Sequence, residues 1–244
     1  MSSKDGDPVS AHTASASTPL RDPTTYITGH NTEDATAVFH SVNAADWQAV
    51  RDTNYFNVSF TTSSMPVSMD NDVDIKQHEQ VMASGGRNLG LVRPNGTVCR
   101  TVDFAPNGEA LMHRTKSLDY GIVIEGQIEL HLDSGEVRTL KRGDIAVQRA
   151  TMHAWKNASA TEWARMVFVL QDSQPLKVGD RVLGEDLGHA RGAIPDSTTP
   201  VFSALQIGGS GAEAADGEGF SWPPQLSINS VTPYLVDSNH IVET

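Results

Sequence analysis

Two histidines and one carboxylate are the residues of this chain whose types and spacing best suit chemistry. His113 and Asp119 lie in the run HRTKSLDYGIVIEG, which ends at Gly126, and His153 lies in the run GDIAVQRATMHAWKN, which begins at Gly143. An imidazole can take up or release a proton near neutral pH, and a partly buried carboxylate can orient it or act as the complementary acid. Two histidines and a carboxylate also suit a divalent metal such as Fe(II), and the set tolerates Mn or Zn.

Further residues near these three are candidates for substrate contact. Arg149 carries a planar set of donors suited to a carboxylate, an enolate or a phenolate, so it either holds an anionic oxygen or pairs with a surface acid. Trp155 has the same strand parity as His153 and should wall the same pocket, whereas Tyr120 stands beside Asp119 and would by parity point away. The remaining candidates for substrate binding are Thr115, Gln148 and Arg100.

The elements that must position these residues are short strands. Between Leu89 and Gln171 the chain is divided by two Pro-Asn-Gly signals, one Asp-Ser-Gly and one Arg-Gly-Asp. Turn signals spaced roughly 8 to 12 residues apart are typical of an antiparallel sandwich or barrel. The run WARMVFVL over 163–170 is almost continuously apolar, which predicts a central strand buried on both faces.

The flanking regions divide the chain into further parts. Residues 1–24 are rich in Ser, Thr, Asp and Pro and predict a disordered tail. Residues 25–87 predict an arm that packs on the barrel, with a strand at 37–39, a capped helix over 43–50 and a helical turn around 75–82. Residues 173–244 predict a C-terminal extension, with a flexible Gly/Ala/acidic loop at 207–219 and a strand-like segment at 234–236.

Composition narrows the class of protein. The net charge of -12 and the absence of a Lys/Arg cluster argue against nucleic acid and anionic membrane surfaces as partners. The single cysteine, Cys99, cannot form an intrachain disulfide. No apolar run approaches about 20 residues and the first residues lack a signal-peptide core, so we expect a cytoplasmic protein.

The two runs resemble the paired motifs of the cupin family, G-x5-H-x-H-x(3,4)-E-x6-G and G-x5-P-x-G-x2-H-x3-N. In the first motif the matching residues are His113 on the first His, Thr115 on the second His, Asp119 on the Glu and Gly126 on the last Gly. In the second motif they are Gly143, His153 and Asn157, with Arg149 in the place of Pro. Three of the four positions that hold metal in the family therefore carry competent ligands, namely His113, Asp119 and His153.

The resemblance implies an all-β cupin jelly-roll barrel, with its core at residues 88–172 between the N-terminal arm and the C-terminal extension. It also implies a homodimer formed through the barrel edge. The amino-acid sequences of both runs are similar to those of small cupins from fungal secondary-metabolite pathways, which are often labelled cupin-domain oxidoreductases. Such a relationship implies a hydrophobic, oxygenated, polyketide-like substrate, and either no cofactor or one divalent metal (Fe, Mn or Zn).

Three functions are consistent with these residues. The leading hypothesis is proton-transfer chemistry, a dehydration or decarboxylation with aromatisation or isomerisation. In it His113 and His153 serve as base and acid, Asp119 orients or shares the proton, and Arg149 holds a developing enolate. The alternative places Fe(II) on His113, Asp119 and His153 and makes the protein an oxidoreductase that uses O2. The third possibility is a small-ligand-binding protein without catalysis.

Overall fold

The computed structural model describes residues 18–84 and 89–197 of the chain. Within these ranges the chain forms strands, the helix α1 (Val73–Ala83) and 3-10 turns at Asp70–Asp72 and Gly188–Ala190. The strands are β1 (Thr24–His30), β2 (Ala37–Ala44), β3 (Gln48–Val50), β4 (Asn54–Thr61), β5 (Thr97–Phe104), β6 (Ser117–Glu125), β7 (Gln127–Leu132), β8 (Val137–Lys141), β9 (Ile145–Arg149), β10 (His153–Asn157), β11 (Ala164–Asp172), β12 (Leu176–Val178) and β13 (Arg181–Leu183).

Two antiparallel sheets enclose the core. The larger has six strands in the order β3-β4-β5-β11-β6-β9, and the smaller has three in the order β10-β7-β8. The hairpins β1-β2 and β12-β13 form separate two-stranded sheets. Consecutive strands repeatedly lie in different sheets, as in a jelly roll, so the predicted all-β jelly-roll class is confirmed. None of the described helices is long and apolar enough to cross a membrane.

Strand β11 is the centre of the larger sheet, as its apolar run predicted. It pairs with β5 on one side and β6 on the other. Its side chains Met166, Phe168 and Leu170 point inward and are buried. Burial of side chains of this size contributes about 1.5–3 kcal/mol each. Gly121 on β6 makes room for them, because a Cβ there would lie 3.0 Å from Cε1 of Phe168.

Gly126 allows the chain to turn between β6 and β7, and so to pass from the larger sheet to the smaller. Its φ of +73° favours glycine, and a Cβ at this position would lie 2.9 Å from Cβ of Ala164 and 3.0 Å from the carbonyl oxygen of Trp163. Any larger residue would therefore force the turn away from β11.

The N-terminal region differs from the sequence prediction in one element. The predicted capped helix over 43–50 is wrong: β2 continues to Ala44, and β3 pairs with β4. The backbone N–H of Asp46 donates to Oδ1 of Asn57 at 2.9 Å, so strand contacts override local helix propensity. The helical turn predicted around 75–82 is confirmed as α1, which buries Ile75, His78 and Val81.

Part of the tail predicted over residues 1–24 makes hydrogen bonds to the barrel and to the N-terminal strands. Nη1 of Arg165 donates to the carbonyl oxygen of Arg21 at 2.6 Å, and Nε1 of Trp47 donates to Oδ1 of Asp22 at 2.8 Å. Arg165 also forms a buried ion pair with Asp103, and the Arg21 carbonyl satisfies one of its remaining donors. Residues 1–17, the predicted loop at 207–219 and the strand-like segment at 234–236 lie outside the described residues.

After β13 the chain returns along the barrel. Arg114 and Asp186 exchange backbone hydrogen bonds of 2.7 and 2.9 Å, and the N–H of His189 donates to the carbonyl of Met112 at 3.0 Å. This path buries Leu187 and Ile194 in the core that the two sheets form.

Candidate functional site

A cavity lies inside the barrel, between the inner faces of the two sheets. Its volume is about 60 Å³, several times the roughly 10–15 Å³ that one water molecule occupies on the same measure. Its wall is mainly aromatic and aliphatic, with Phe56, Phe104, Trp155 and Phe168 among the lining residues. The polar groups that reach it include four titratable side chains, those of Arg100, His113, Asp119 and His153. A site of this composition suits a small, largely apolar molecule that carries a few oxygen atoms.

His113 and His153 lie directly opposite each other at the wall of the cavity. The N–H of each residue donates to the backbone carbonyl of the other at 2.9 Å, which fixes the two residues as an antiparallel pair. Their imidazole rings are 4.6 Å apart between centroids, at an interplanar angle of 47°. Trp155, two residues further along β10, packs edge-on against His153 and lines the same cavity. The predicted shared face of His153 and Trp155 agrees with this arrangement.

Both imidazoles have the same tautomer. Nδ1 of His113 bonds the carbonyl of Leu111 at 2.7 Å, and Nδ1 of His153 bonds the carbonyl of Thr151 at 2.9 Å. A carbonyl only accepts, so each Nδ1 carries the proton and each Nε2 carries a lone pair. Burial lowers the pKa of both rings, and the neighbouring His113 helps bring the pKa of His153 to about 3. At neutral pH both rings are therefore uncharged acceptors at Nε2.

Asp119 is the acidic group of the cavity. It lies on the inner face of β6 and is only 3% exposed. Burial raises the pKa of its carboxyl to about 6 and outweighs the opposing influence of nearby hydroxyls and of Arg100. The hydroxyl of Thr115 donates to Oδ2 at 3.1 Å, while Oδ1 is buried and has no hydrogen-bond partner among the described residues. The carboxyl can therefore exchange a proton close to physiological pH.

Gln148 is the cross-strand neighbour of Asp119 in the pairing of β6 with β9. It is buried, and its Oε1 accepts a hydrogen bond from the hydroxyl of Thr151. Its Nε2 is buried, and like Oδ1 of Asp119 it has no hydrogen-bond partner in the part of the chain that the structure describes. Directly opposed residues in an antiparallel sheet have Cβ atoms about 4.5–5.5 Å apart. The unpartnered donor and the unpartnered acceptor thus lie on adjacent side chains that both face the interior.

Four of the residues selected from the sequence do not line the cavity: Thr115 and Gln148, which are buried, and Arg149 and Tyr120, which are exposed. Arg149 is exposed on the outer face of β9, because the neighbouring Gln148 occupies the inner face and successive side chains alternate. The expectation that Arg149 holds an enolate is therefore wrong. Tyr120 is 40% exposed on the outer face of β6, which agrees with its parity and removes it from substrate contact. Arg100 on β5 is the arginine that lines the cavity.

The residues present do not fit the metal centre that the family motif implies. Across residues 18–84 and 89–197, no three His, Cys, Asp or Glu side chains come close enough together to hold a metal ion. Asp119 has one methylene fewer than the Glu of the motif, and Thr115, in the place of the second His, donates to Asp119. The described geometry therefore keeps the carboxylate apart from the histidine pair instead of forming a three-ligand set.

Some cavity residues come from parts of the chain that carried no functional signal. Phe56 is supplied by β4, Leu91 by the segment before β5, and Ile194 by the returning C-terminal segment. Nothing in the local sequence around Ile194 indicated that it would reach the barrel interior.

Comparison with known proteins identifies relatives that align with two thirds to three quarters of this chain. Residues 100–170 match the family model described as Cupin domain. Phomopsin biosynthesis cluster protein D of Diaporthe leptostromiformis is 40% identical over 183 residues, which cover 75% of this chain and 93% of that protein. Oryzines biosynthesis cluster protein J of Aspergillus oryzae is 36% identical over 168 residues, covering 68% and 92% of the two chains. Cupin-domain-containing oxidoreductase virC of Hypocrea virens is 41% identical over 165 residues, covering 66% and 81%.

Proposed function

This chain belongs to the cupin family, and on that premise we propose that it is a small-molecule enzyme of secondary metabolism that moves a proton within the barrel cavity. The substrate is a hydrophobic, oxygenated compound of polyketide type, and the reaction is a dehydration, a decarboxylation or an isomerisation. The biosynthesis-cluster relatives support the metabolic setting. The observation that carries the chemistry is the buried carboxyl of Asp119, whose pKa of about 6 makes it suitable as both base and acid.

In a dehydration, ionised Asp119 removes a proton from the carbon next to a carbonyl. The electron pair of that C–H bond forms the new carbon–carbon double bond, and the bond from the neighbouring carbon to its hydroxyl breaks. Asp119, now protonated, returns the proton to the departing hydroxyl, which leaves as water. One carboxyl thus completes the cycle and ends ionised, as it began.

This assignment differs from the roles expected from the sequence, in which His113 and His153 were base and acid. A neutral ring whose only proton is held by a backbone carbonyl has no proton at Nε2 to donate, and a pKa of about 3 makes His153 a weak base. We assign the two Nε2 atoms to accepting hydrogen bonds from substrate hydroxyls. That role requires unprotonated rings, which burial favours.

Mass spectrometry of the small molecules in a culture extract, before and after incubation with the protein, tests this function. Purified protein is incubated with culture extract from a strain that lacks the gene. We expect one compound to be consumed and replaced by a product lighter by one water or one carbon dioxide, or by an isomer of equal mass. Asp119→Asn should abolish the conversion, and Arg149→Met, a change on the outer face, should leave it intact. Full conversion by Asp119→Asn would refute the proposed role of Asp119.

A second candidate, an oxidoreductase, is favoured by the relative that bears this name at 41% identity. The same incubation distinguishes it, because its product would differ by two hydrogen atoms or by added oxygen. Metal analysis of protein purified without chelator or nickel gives an independent measurement. Near-stoichiometric metal that disappears in His153→Ala would favour the oxidoreductase over the proton-transfer enzyme.

A further inference from the structure

Arg100 is a buried cation that takes no part in the proton transfer proposed above. It is only 3% exposed, and its side chain extends from the inner face of β5 to the cavity wall. Burial lowers the pKa of its guanidinium only to about 10, so the group is charged at neutral pH. Its position in the chain lies outside the two motifs that carry the histidines.

Within residues 18–84 and 89–197, no acidic side chain forms an ion pair with Arg100. Asp119 acts on it only through space, since the two side chains form no ion pair. A buried charge without a partner is strongly unfavourable, and proteins normally pair such a group or exclude it from the interior.

The contacts that Arg100 does make satisfy only part of the guanidinium. Nη2 donates to the carbonyl of Gly90 at 2.7 Å and more weakly to that of Leu91 at 3.4 Å. The guanidinium carbon lies 5.4 Å from the ring centre of Phe56, a cation–π contact. Nε is buried, and no group in the described part of the chain accepts a hydrogen bond from it. The two carbonyls therefore hold the guanidinium in place, and among the described residues they leave its Nε donor without an acceptor.

We propose that Arg100 binds an anionic oxygen of the substrate, a carboxylate or the oxygen of an enolate or phenolate, and so selects acidic compounds with an apolar body. The inference rests on the proposed function, because it assumes that the cavity is the substrate site. A guanidinium suits this task, since its fork of donors matches a carboxylate and stays charged at all working pH values. The aromatic wall would contact the apolar body, and Arg100 takes the role that the sequence assigned to Arg149.

Binding of benzoate and of its neutral analogue benzamide tests the proposal without any need for turnover. The two probes have the same shape, and they differ in the charge that Arg100 would recognise. Dissociation constants are measured by calorimetry for the full chain, for Arg100→Met, Arg100→Lys and the control Arg149→Met. Circular dichroism and thermal unfolding establish that each variant is folded.

We expect the unsubstituted chain to bind benzoate at least about tenfold more tightly than benzamide, as a charge-assisted hydrogen bond predicts. Arg100→Met should bring this ratio close to one, Arg100→Lys should retain part of it, and Arg149→Met should leave it unchanged. Should Arg100→Met fail to fold, the ratio in the unsubstituted chain and in Arg100→Lys still decides the matter.

Two outcomes would overturn the proposal: equal binding of both probes by the unsubstituted chain, or a benzoate preference that survives in Arg100→Met. Either result is independent of the conversion experiment with Asp119→Asn. A chain that prefers benzoate through Arg100 but converts nothing would retain the anion site and refute the enzymatic proposal alone.

Discussion

Replacing Asp119 by asparagine is expected to change how the free energy of unfolding depends on pH. Burial raises the pKa of this carboxyl from 3.8 to about 6, and the side chain is 3% exposed, so solvent screens it little. An acid with a raised pKa in the folded state binds its proton more tightly there than in the unfolded chain. Stability contributed by this group therefore falls as pH rises from about 4 to about 6, and the loss is complete above the folded-state pKa.

The magnitude follows from the shift. A difference of about two pKa units, at about 1.4 kcal/mol per unit, gives a cost of about 3 kcal/mol for the ionised carboxylate at neutral pH. The uncharged amide of the variant would carry no such cost. The stability of Asp119→Asn minus that of the unsubstituted chain should therefore rise by about 2–3 kcal/mol between pH 4 and pH 7, which corresponds to roughly 4–12 °C in Tm.

Urea denaturation followed by circular dichroism at closely spaced pH values measures this difference. In the variant an NH2 group replaces one carboxyl oxygen of Asp119. Its hydrogen bonds add a constant difference in the free energy of unfolding that does not depend on pH. The diagnostic quantity is for that reason the slope and not the absolute value. Asp133→Asn, at an exposed turn, serves as a matched control for the loss of one carboxylate. A difference for Asp119→Asn that does not change with pH would refute the buried, proton-binding carboxyl on which the proposed chemistry depends.

Three further changes give predictions of defined sign. His153→Gln should remove a pH dependence of the opposite direction. The pKa of the His153 ring is lowered to about 3, so the folded chain keeps its full stability above pH 6.5. Below that pH the free energy of unfolding falls by about 1.4 kcal/mol per pH unit until pH 3. The same urea titrations measure it, and parallel curves for variant and unsubstituted chain would contradict it. Gln148→Leu should raise the pKa of Asp119 further, because the substitution removes the amide beside the carboxylate. Carbon-13 NMR of labelled Asp119 measures this pKa, and an unchanged value would contradict an interaction between the two side chains. Gly126→Ala should destabilise the protein by about 1–3 kcal/mol, since φ is +73° and the new Cβ would meet Ala164. Gly135→Ala is the control: φ is also positive there, but no described atom lies within 4 Å of the new Cβ, so this change should destabilise less in the same unfolding assay.

The sequence alone identified three of the residues that line the cavity. His113 and His153 match histidine positions of the cupin motifs, and strand parity placed Trp155 on the face of His153. The glycine at 126 and the apolar run of β11 likewise have local causes. For these features the prediction needed no knowledge of which distant strands pair.

The two arginines show where local patterns are insufficient. Arg149 lies near His153 in sequence, but β9 ends at Arg149 and β10 begins in the other sheet, after a turn in which Ala150 has a φ of +51°. Strand parity is not conserved across such a turn, so proximity to His153 did not predict the face of Arg149. Arg100 carries no motif, and its inward position follows from the pairing of β5 with β4 and β11.

Tertiary structure alone also decided the closure of the cavity and the relation of its polar groups. Ile194 reaches the interior because the returning segment bonds to residues much earlier in the chain, as at His189 and Met112, and the separation of Asp119 from the histidine pair depends on the positions of two sheets. These are distances between strands remote in sequence. They are set by sheet register and packing of the whole core, which composition and short-range periodicity do not encode.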